Sequence, residues 1–338
     1  MRILHLLASP FFSGPAQLVT ELALAQRELG HQVSVAVDAR RRETPAEELA
    51  QPRLQQLGLL DPGGLELSVK STPAQVLRDL RNLHRRQVDV VHSHFSHDHL
   101  LLRLARPRGA TRIRSIHAAR SLRWSLPAAD GYTVPVGDWL WRLPEHSART
   151  VLPPLVGAEF QRVPNARAQL ALEGSPLIGM VSTFQPSRRH GLGIEAFARL
   201  RAQHPSARLV LVGDGRLEAQ LRAQVAEAGL EQAVTFTGYQ QGGAFVRWLS
   251  ALDEVWILGL GNDYSARAAA QARRCGVRVV AAAEGALPDY ADAVVPQLSA
   301  DAVVAASLEG RRRQLEVPTP GAVAQAVLAL YQQAGVRR

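Results

Sequence analysis

The sequence predicts an α/β fold made of two doubly wound, Rossmann-like domains that face each other across a cleft. Three observations support this prediction. The chain has 338 residues, enough for two domains of about 150 to 170 residues each. Short apolar runs alternate with amphipathic segments, as in parallel strands joined by crossover helices. A proline-rich stretch at residues 151–166 interrupts this alternation and separates two similar halves.

The first predicted domain, residues 1–155, contains six apolar runs that we assign to strands. In order they are RILHLLA, HQVSVAVD, LELSV, VDVVH, RIRSIH and GYTVP, which begin at Arg2, His31, Leu65, Val88, Arg112 and Gly131. Between the first two runs a helix is predicted to begin at Pro15 and end at Gly30. Proline favours the first turn of a helix, and glycine favours the residue after its end.

The second predicted domain, residues 156–317, repeats the pattern. Its strands are PLIGMVST, ARLVLVG, AVTFTG, DEVWILG, VRVVAAA and ADAVV, which begin at Pro176, Ala207, Ala233, Asp253, Val277 and Ala291. Residues 318–338 are predicted to form an amphipathic helix that packs back on the first domain. Ligands of doubly wound sheets bind outside the carboxyl ends of the strands, so the loops after these runs are where site residues are expected.

The composition is that of a globular protein, with 46% hydrophobic and 20% charged residues. The net charge is +9, and Lys70 is the single lysine among 39 basic residues. This richness in arginine reflects either the nucleotide composition of the source genome or an anionic partner. The bases are dispersed without interleaved aromatic residues, which argues against nucleic acid as that partner.

The single cysteine, Cys275, excludes an internal disulfide and a cysteine-based metal cluster. The N-terminal run is short and lacks a small-x-small cleavage site, so we do not expect a signal peptide. No stretch approaches the ~18 consecutive apolar residues that suggest a membrane span. We therefore expect a cytoplasmic protein, either free or peripheral at the inner face of the cell membrane.

Ser13 and Gly14 lie between the first predicted strand and its helix. A glycine there lets backbone amides approach a phosphate or a sugar at the helix start, although an ordinary turn fits equally well. His117 ends the predicted strand RIRSIH, where it either lines the cleft or is solvated.

The segment HSHFSHDH places four histidines at the carboxyl end of another strand: His92, His94, His97 and His99. A metal site would need converging ligands with carboxylate or thiolate support, and Asp98 is the one such group nearby. Residues at a strand-to-helix corner diverge, so we assign no metal here. We expect polar residues that line the cleft or begin the helix.

In the second half, Arg188, Arg189 and His190 precede a helix predicted to start near Gly191. An oxyanion at that point would meet guanidinium groups and helix amides together. The segment VGDGRLEAQL repeats the geometry, with Gly213 between a strand and a helix.

The segment GNDYSARAAAQ predicts another helix, with Asn262 or Asp263 as its N-cap. Asp263, Arg267 and Gln271 are spaced by four residues and therefore share one helix face. A cation in the first turn loses up to ~1 kcal/mol against the helix dipole. Arg267 thus either faces a bound anion, such as a diphosphate, or pairs with Asp263.

Taken in order, these stretches resemble the GT-B glycosyltransferases of family 4, which move a sugar from a nucleotide-sugar to an acceptor with retention at the anomeric carbon. The resemblance covers almost the whole chain. It is carried by ELALAQRELGHQVSVAV, VDVVHSHFSHDH, IGMVSTFQPSRRHGLGIEAF, LVLVGDGRLEAQL, VTFTGY and CGVRVVAAAEGALPDYAD. It implies the GT-B fold, a UDP- or GDP-linked sugar as substrate, no cofactor or metal, and a glycan or lipid-linked acceptor held by the first half.

The resemblance also implies roles for individual residues. Ser13 and Gly14 match the family's glycine loop near the donor phosphates, with serine in place of one glycine. His117 matches a histidine near the transferred sugar. The arginine and lysine that hold the donor diphosphate fall on Thr183 and Arg188, so the first cation is lost and the second is kept.

The two glutamates of the family's E-x7-E signature fall on Asp263, near the sugar, and Gln271, at the ribose. An amide is a weaker acceptor for ribose hydroxyls than a carboxylate, so ribose binding is expected to weaken. We expect Arg267 to supply the charge that Thr183 lacks. The remaining residues assigned to the donor are Ser265 and Ala266, through their backbone amides, and Gly213.

Three functions stay open. The first is a retaining glycosyltransferase in cell-surface polysaccharide or glycolipid synthesis. The second is a non-catalytic partner or binding subunit whose donor site has decayed, which Gln271 and Thr183 favour. The third, an epimerase of UDP-N-acetylglucosamine with the same fold, fits the quoted stretches less well.

Basic runs in the first half offer a further partner. They cover residues 78–86, 103–114 and 119–124, and Trp124, Trp139 and Trp141 lie in or after them. They either bind an anionic membrane surface or consist of solvated arginines and core tryptophans.

Overall fold

The computed structural model describes residues 1–39, 49–68, 71–122, 128–259 and 266–336. The chain divides into two units: unit 1 is Met1–Leu155 with Pro318–Arg338, and unit 2 is Val156–Val317. Within the described ranges each unit is built on a six-stranded sheet whose paired strands are all parallel. The prediction of two Rossmann-like α/β domains is confirmed.

Unit 1 begins with strand and helix in alternation. Its strands are β1 (Arg2–Leu7), β2 (Gln32–Val37), β3 (Val90–Ser93), β4 (Thr111–Ser115), β5 (Gly131–Val134) and β6 (Ala148–Val151). Its helices before residue 155 are α1 (Gly14–Glu28), α2 (Ala50–Gln56), α3 (Pro73–Arg85) and α4 (Ser96–Ala105). The sheet order is β2-β1-β3-β4-β5-β6.

The predicted strand LELSV is wrong over residues 65–68, which are irregular but buried. Leu67 has a φ of 50°, which is incompatible with an extended strand. The amides of Glu66 and Leu67 donate to the Asp79 carboxylate at 3.1 and 3.0 Å instead of to a neighbouring strand. The sixth strand of the sheet is β6, which lies where the domain linker was predicted to begin.

Unit 2 follows the same plan. Its strands are β7 (Leu177–Val181), β8 (Arg208–Val212), β9 (Val234–Phe236), β10 (Glu254–Ile257), β11 (Arg278–Ala282) and β12 (Ala293–Val295). Its helices are α5 (Ala166–Gln169), α6 (His190–Gln203), α7 (Glu218–Glu227), α8 (Gly242–Ala251), α9 (Arg267–Arg274), α10 (Leu287–Tyr290) and α11 (Ala300–Leu308). The sheet order is β12-β11-β10-β7-β8-β9.

The last helix, α12 (Pro320–Val336), belongs to unit 1. Its apolar face, including Val327 and Leu330, shares a buried core with Leu22 of α1 and Ile3 of β1. Burying an aliphatic side chain of this size contributes about 1.5–3 kcal/mol, so α12 is an integral layer of the unit. No helix in the described ranges combines the length and the apolar character needed to cross a bilayer.

Each sheet has one point at which the chain reverses its direction of winding. In unit 1 this point lies between β1 and β3, and in unit 2 it lies between β7 and β10. The connections leave adjacent strands in opposite directions there, which opens a crevice at the carboxyl ends. The loops that follow these strands carry most of the residues assigned to a site from the sequence.

Candidate functional site

The loop after β1 ends at an accessible helix start. Ser13 is the N-cap of α1 and makes no side-chain capping bond. Ser13 and Gly14 are both exposed, and a Cβ added to Gly14 would have no atom within 4 Å. The first amides of α1 therefore face open space at the winding reversal of unit 1, where an anionic or hydroxyl-rich ligand can meet them.

Asp98 fixes this loop to the neighbouring strand. Its carboxylate is fully buried and accepts hydrogen bonds from the backbone amides of Ala8 at 3.1 Å and of Phe95 at 2.9 Å. Burial raises the pKa of Asp98 to about 7, while these amide donors act in the opposite direction. Asp98 thus joins the carboxyl end of β1 to the turn between β3 and α4.

A row of four histidine rings lies at the carboxyl ends of β1, β3 and β4. His5 of β1 pairs in register with His92 of β3, and His94 and His117 follow β3 and β4. Ring centroids are 4.4 Å apart for His92 and His94, and 5.5 Å apart for His94 and His117. Because β1, β3 and β4 are neighbours in the sheet, residues far apart in sequence meet here.

Hydrogen bonds connect the rings. His5 Nδ1 lies 3.0 Å from His94 Nε2, and His94 Nδ1 lies 3.3 Å from His117 Nε2. The remaining nitrogen of His5 faces Gln26 Oε1 at 2.9 Å. Both nitrogens of His92 are also bonded, to the Tyr331 hydroxyl at 2.7 Å and to Ser115 Oγ at 2.8 Å.

Burial keeps these histidines neutral. Desolvation lowers the pKa of His5 and of His117 to about 4, and it lowers the pKa of His92 and of His94 well below the ordinary value. A neutral imidazole has one donor and one acceptor nitrogen, so each ring has a defined direction in the network.

His5, His92 and His94 also offer nitrogens that lie within 4.8 Å of one another, close enough to consider a metal ion. The rings of His92 and His94 are stacked, with an angle of 25° between their planes, instead of pointing at a common centre. Their nitrogens face protein donors and acceptors, as a hydrogen-bonded polar core requires.

The other histidines of HSHFSHDH turn away from this row. His99 is buried on α4, and its Nδ1 lies 2.8 Å from Ser93 Oγ. His97 is partly exposed on the same helix. The expected divergence at the strand-to-helix corner therefore separates His97 and His99 from His92 and His94.

Sequence reasoning missed His5, Gln26 and Tyr331. His5 carried a usable signal, because it is the one polar side chain in the apolar run ILHLL that follows Arg2 in β1. Gln26 and Tyr331 lie on α1 and α12, 305 residues apart, and bond to each other at 3.2 Å. No local pattern predicts such a contact.

In unit 2, the loops after β7 and β8 are tightly joined. The amide of Phe184 donates to the Asp214 carbonyl at 2.6 Å, and the amide of Gly213 donates to the Gly238 carbonyl at 3.0 Å. Gly213 is buried with a φ of 142°, a conformation that favours glycine. Thr183 is exposed beside Phe184 at the surface of this joint.

Replacing Gly213 by alanine is expected to destabilise the protein by about 2–5 kcal/mol, because strain at this φ adds to overpacking. A Cβ at this position would overlap the Ser182 carbonyl oxygen, which belongs to backbone and cannot rotate away. Chemical denaturation measures the change. Gly243→Ala is the matched control, since a Cβ there meets nothing within 4 Å. Equal stability of the two variants would contradict the role of Gly213.

Arg188 lies at the winding reversal of the second sheet. It ends a short 3₁₀ turn, and Arg189 follows in the left-handed region, with a φ of 56°, directly before α6. A Cβ added to Gly259, just after β10, would lie 3.3 Å from Arg188 Cδ. The Arg188 side chain therefore passes the carboxyl end of β10.

His190 begins α6, one residue before the predicted start. It is buried, and its Nε2 lies 3.3 Å from Ser182 Oγ. Burial, with a smaller effect of the Arg188 charge, lowers the pKa of His190 to about 4. His190 therefore joins the helix start to the end of β7 as a neutral group.

Helix α9 begins later than predicted. Its N-cap is Ala266, which is buried with a φ of 53°, so the assignment of Asn262 or Asp263 as N-cap is wrong. Asp263 and Ser265 lie outside the described residues. Arg267 is the first residue of the helix and is partly exposed, and Gln271 lies one turn later with 7% of its surface exposed.

The helices α6 and α9 share an unusual start, which the short helix α5 also has after Asn165. Each follows a non-glycine residue in the left-handed region, Arg189 or Ala266. Such a residue next to right-handed backbone turns successive amides towards one point, which favours an anion. The conformation costs of order 1–3 kcal/mol and is typical of functional sites. A guanidinium group, from Arg188 or Arg267, accompanies each start, so phosphate is the chemistry that these elements suit.

The basic runs of the first half are partly structural. The guanidinium of Arg112 is paired with Asp130 at 2.8 Å, and Arg114 is 3% exposed. Trp139 packs against a buried cluster, whereas Trp141 is 75% exposed. Trp124 lies outside the described residues.

Two family models match the chain, one in each unit. The model of Glycosyltransferase Family 4 matches residues 12–153, and the model of Glycosyl transferases group 1 matches residues 163–311. Ser13, His92, His94 and His117 lie in the first match, whereas His5 precedes it. Arg188, Arg267 and Gln271 lie in the second match.

Two relatives align with parts of the chain. A 2-deoxystreptamine glucosyltransferase of Streptomyces kanamyceticus is 31% identical over 164 residues, which is 48% of this chain and 42% of that protein. A D-inositol 3-phosphate glycosyltransferase of Stackebrandtia nassauensis is 34% identical over 151 residues, 41% of this chain and 34% of that protein. The alignments thus span less than half of each relative.

Among solved structures, Anabaena HepE in complex with UDP and glucose is similar over 98% of both chains, with a TM-score of 0.69 and 17% identity. This likeness extends over both units and concerns the fold.

Proposed function

Since the chain belongs to the GT-B glycosyltransferases, with a family 4 domain followed by a group 1 domain, we propose that it transfers a sugar from a nucleotide-sugar to a glycan or lipid-linked acceptor with retention at the anomeric carbon. The donor is UDP- or GDP-linked. The product belongs to cell-surface polysaccharide or glycolipid synthesis. The reaction needs no metal ion in this proposal.

One observation carries the proposal. A guanidinium group and a helix start occur together at Arg188, before α6, and at Arg267, in α9. Helix α5 also carries an arginine at its start, but that guanidinium, of Arg167, is paired with Asp253. Arg188 lies beside Gly259, at the point where the winding of the sheet reverses. Departure of a nucleoside diphosphate leaves negative charge on its phosphates, which such groups stabilise without reorganisation.

The proposed donor contacts combine this arrangement with the residue roles that the family resemblance implies. Arg188, Arg267 and the amides at Ala266 and Ser265 hold the diphosphate, and Gln271 contacts the ribose through its amide. Asp263 and His117 act at the transferred sugar, and Ser13 and Gly14 face the donor phosphates. Thr183 offers a hydroxyl where a cation would be stronger, which leaves Arg267 to supply the charge. Gly213 leaves room for the Ser182 carbonyl beside the Thr183 loop, since a Cβ at this position would overlap it.

The similar structure of Anabaena HepE holds UDP and glucose, which supports a uridine nucleotide as the first donor to test. An anionic membrane surface is the proposed second partner of unit 1. The exposed Trp141 supports it, because tryptophan is enriched at membrane interfaces.

A thermal-shift panel of UDP, GDP, ADP and their sugars tests the proposal. A ligand at 100 times its dissociation constant adds ~2.7 kcal/mol of stability, so a rise in Tm is expected with one base at millimolar concentration. Donor hydrolysis is then assayed for that base. Absence of stabilisation by every nucleotide would contradict donor binding.

The variant Gln271→Glu separates a weakened site from a lost one. A carboxylate accepts ribose hydroxyls more strongly than an amide, so we expect Gln271→Glu to tighten binding of the preferred nucleotide about three- to tenfold. Gln220→Glu is the matched control, because Gln220 is an exposed residue of α7. Nucleotide binding without donor cleavage, in both the natural chain and Gln271→Glu, would favour a non-catalytic binding subunit.

A further inference from the structure

We propose that a buried, one-directional hydrogen-bond chain from Tyr331 to His117 fixes His117 as its Nε2–H tautomer, so that Nδ1 is presented as an acceptor for a substrate hydroxyl group. His94, His5, Gln26 and Tyr331 are then positioning residues for the proposed function. That the hydroxyl belongs to a sugar rests on the proposed function, whereas the tautomer does not.

Gln26 sets the direction of the chain, because an amide has separate donor and acceptor atoms. Its Oε1 faces His5 Nε2 at 2.9 Å, and its Nε2 faces the Tyr331 hydroxyl at 3.2 Å. The oxygen can only accept, so His5 Nε2 carries the hydrogen. His5 is neutral, and its Nδ1 is therefore an acceptor.

The direction passes from ring to ring. His5 Nδ1 accepts across 3.0 Å from His94 Nε2, which must carry the hydrogen. His94 Nδ1 is then an acceptor, and it lies 3.3 Å from His117 Nε2. His117 Nε2 is consequently the donor, and its Nδ1 has no hydrogen.

The other arm of the chain agrees with this direction. The Tyr331 hydroxyl accepts from Gln26 and donates to His92 Nδ1 at 2.7 Å. His92 Nε2 then donates to Ser115 Oγ at 2.8 Å, and Ser115 donates to Thr133 Oγ1 at 2.7 Å.

The donor and the acceptor cannot be exchanged in one hydrogen bond of this chain while the other bonds stay unchanged. Reversal would set two donors or two acceptors against each other in the core, where an unsatisfied polar group costs about 1–3 kcal/mol. His5, His92, His94 and Gln26 are each at most 2% exposed, so water does not compensate. The donor and acceptor roles are therefore one collective choice.

His117 is the member at which the chain meets the surface. It is partly exposed, whereas His5 and His92 are fully buried. Within the described residues, Nδ1 of His117 accepts no hydrogen bond from the protein. Burial lowers the pKa of His117 to about 4, so the ring stays neutral near pH 7 and Nδ1 keeps its lone pair. Nδ1 of His117 can therefore accept a hydrogen bond from a hydroxyl group and orient it.

Nitrogen-15 NMR of the full chain tests the tautomer without any substrate. Long-range proton–nitrogen spectra distinguish a protonated from a bare ring nitrogen for each histidine. We expect Nε2–H for His117, His94 and His5 at pH 7. An Nδ1–H tautomer for His117, or an even mixture, would overturn the proposal, as would a stoichiometric metal ion retained on His5, His92 and His94.

The variant Tyr331→Phe tests the coupling from α12. It removes the hydroxyl that accepts from the Gln26 side-chain amide. That amide can then rotate by 180°, which exchanges the positions of its oxygen and its nitrogen. We expect a second His117 tautomer in the spectrum and a three- to tenfold loss, roughly the value of one hydrogen bond, in kcat/KM for sugar transfer. Tyr132→Phe is the matched control. The buried Tyr132 hydroxyl accepts a hydrogen bond from the Ala129 amide and does not belong to the hydrogen-bond chain.

The inference about the His117 tautomer and the proposed function can each be contradicted without the other. If Tyr331→Phe leaves the His117 tautomer unchanged, the inference is wrong even though transfer is observed. If the tautomer changes and no nucleotide-sugar is bound or cleaved, the proposed function is wrong, but the hydrogen-bond chain is supported. Thermal denaturation of both tyrosine variants identifies a loss of folding, and Gln26→Met then provides a second break in the same chain.

Discussion

Replacing Arg267 by alanine is expected to lower kcat for sugar transfer by about 10²- to 10³-fold, the usual effect of removing one preorganised group that stabilises developing negative charge. Arg267 is the first residue of α9, where the helix dipole repels a cation by about 0.3–1 kcal/mol. Its removal relieves that repulsion but also removes the interaction that Arg267 makes within the protein, so we expect only a small change in Tm. Steady-state kinetics and a melting curve on the same sample separate the two effects.

A second substitution makes this prediction specific. If Arg267 supplies the charge absent at Thr183, then Thr183→Arg should restore at least about tenfold of the activity lost in Arg267→Ala. The exposed position of Thr183 can take the larger side chain. Arg274→Ala is the control, because Arg274 is the last residue of the same helix. Near-normal turnover by Arg267→Ala would remove Arg267 from the mechanism.

Acidification is expected to unfold unit 1 before unit 2. The pKa of His5 and of His117 falls from 6.5 to about 4 on folding, and burial also lowers those of His92 and His94 well below the ordinary value. Between pH 4 and 6.5 the unfolded chain binds these protons and the folded chain does not. The stability from burying neutral rings is therefore complete above pH 6.5 and is lost as the pH falls towards 4.

Asp98 acts in the opposite sense. Burial raises its pKa from 3.8 to about 7, so the folded chain takes up one proton in the same range. In this range the unfolded chain binds four more histidine protons and one fewer carboxyl proton than the folded chain. The free energy of unfolding therefore falls by on the order of 4 kcal/mol per pH unit at most as the pH decreases. Tyr331, which contacts His92, titrates far above this range because burial raises its pKa.

Hydrogen exchange read by mass spectrometry, corrected for the intrinsic rate, measures the order of unfolding. Between pH 7 and pH 5, peptides from β1, β3 and β4 should lose protection before those from β7, β8 and β10. Among its described residues, unit 2 has one histidine shifted in this way, His190. Simultaneous loss in both units, or earlier loss in unit 2, would contradict the account of the histidine row.

The strand assignments from sequence succeeded where the period and length of apolar runs decide the structure. Parallel strands covered by helices on both faces are nearly continuous apolar runs, as in LVLV of β8 and VWI of β10. LELSV carries the same pattern but is not a strand over residues 65–68, because the backbone turns at Leu67 and Asp79 takes two of its amides. A tertiary contact overrode the local pattern.

The candidate site was predictable to a different degree in each unit. In unit 2 the loops follow strands directly, so the positions of Arg188 and Gly213 after β7 and β8 were predictable from sequence. The start of α9 was not, because Ala266 in a left-handed conformation replaces the polar N-cap that sequence rules expect. In unit 1 the histidine network depends on Gln26 and Tyr331, which meet only when α12 packs on α1.

Proton NMR of donor turnover distinguishes a retaining glycosyltransferase from the alternatives. The purified chain is mixed with UDP- and GDP-sugars, and release of nucleoside diphosphate and the anomeric form of the first sugar product are followed. We predict release from one nucleotide class, with the anomeric configuration of the donor retained in that product, and near-complete loss in Arg267→Ala. A chain that neither binds nor cleaves any donor, or that releases the inverted anomer first, would contradict a retaining glycosyltransferase.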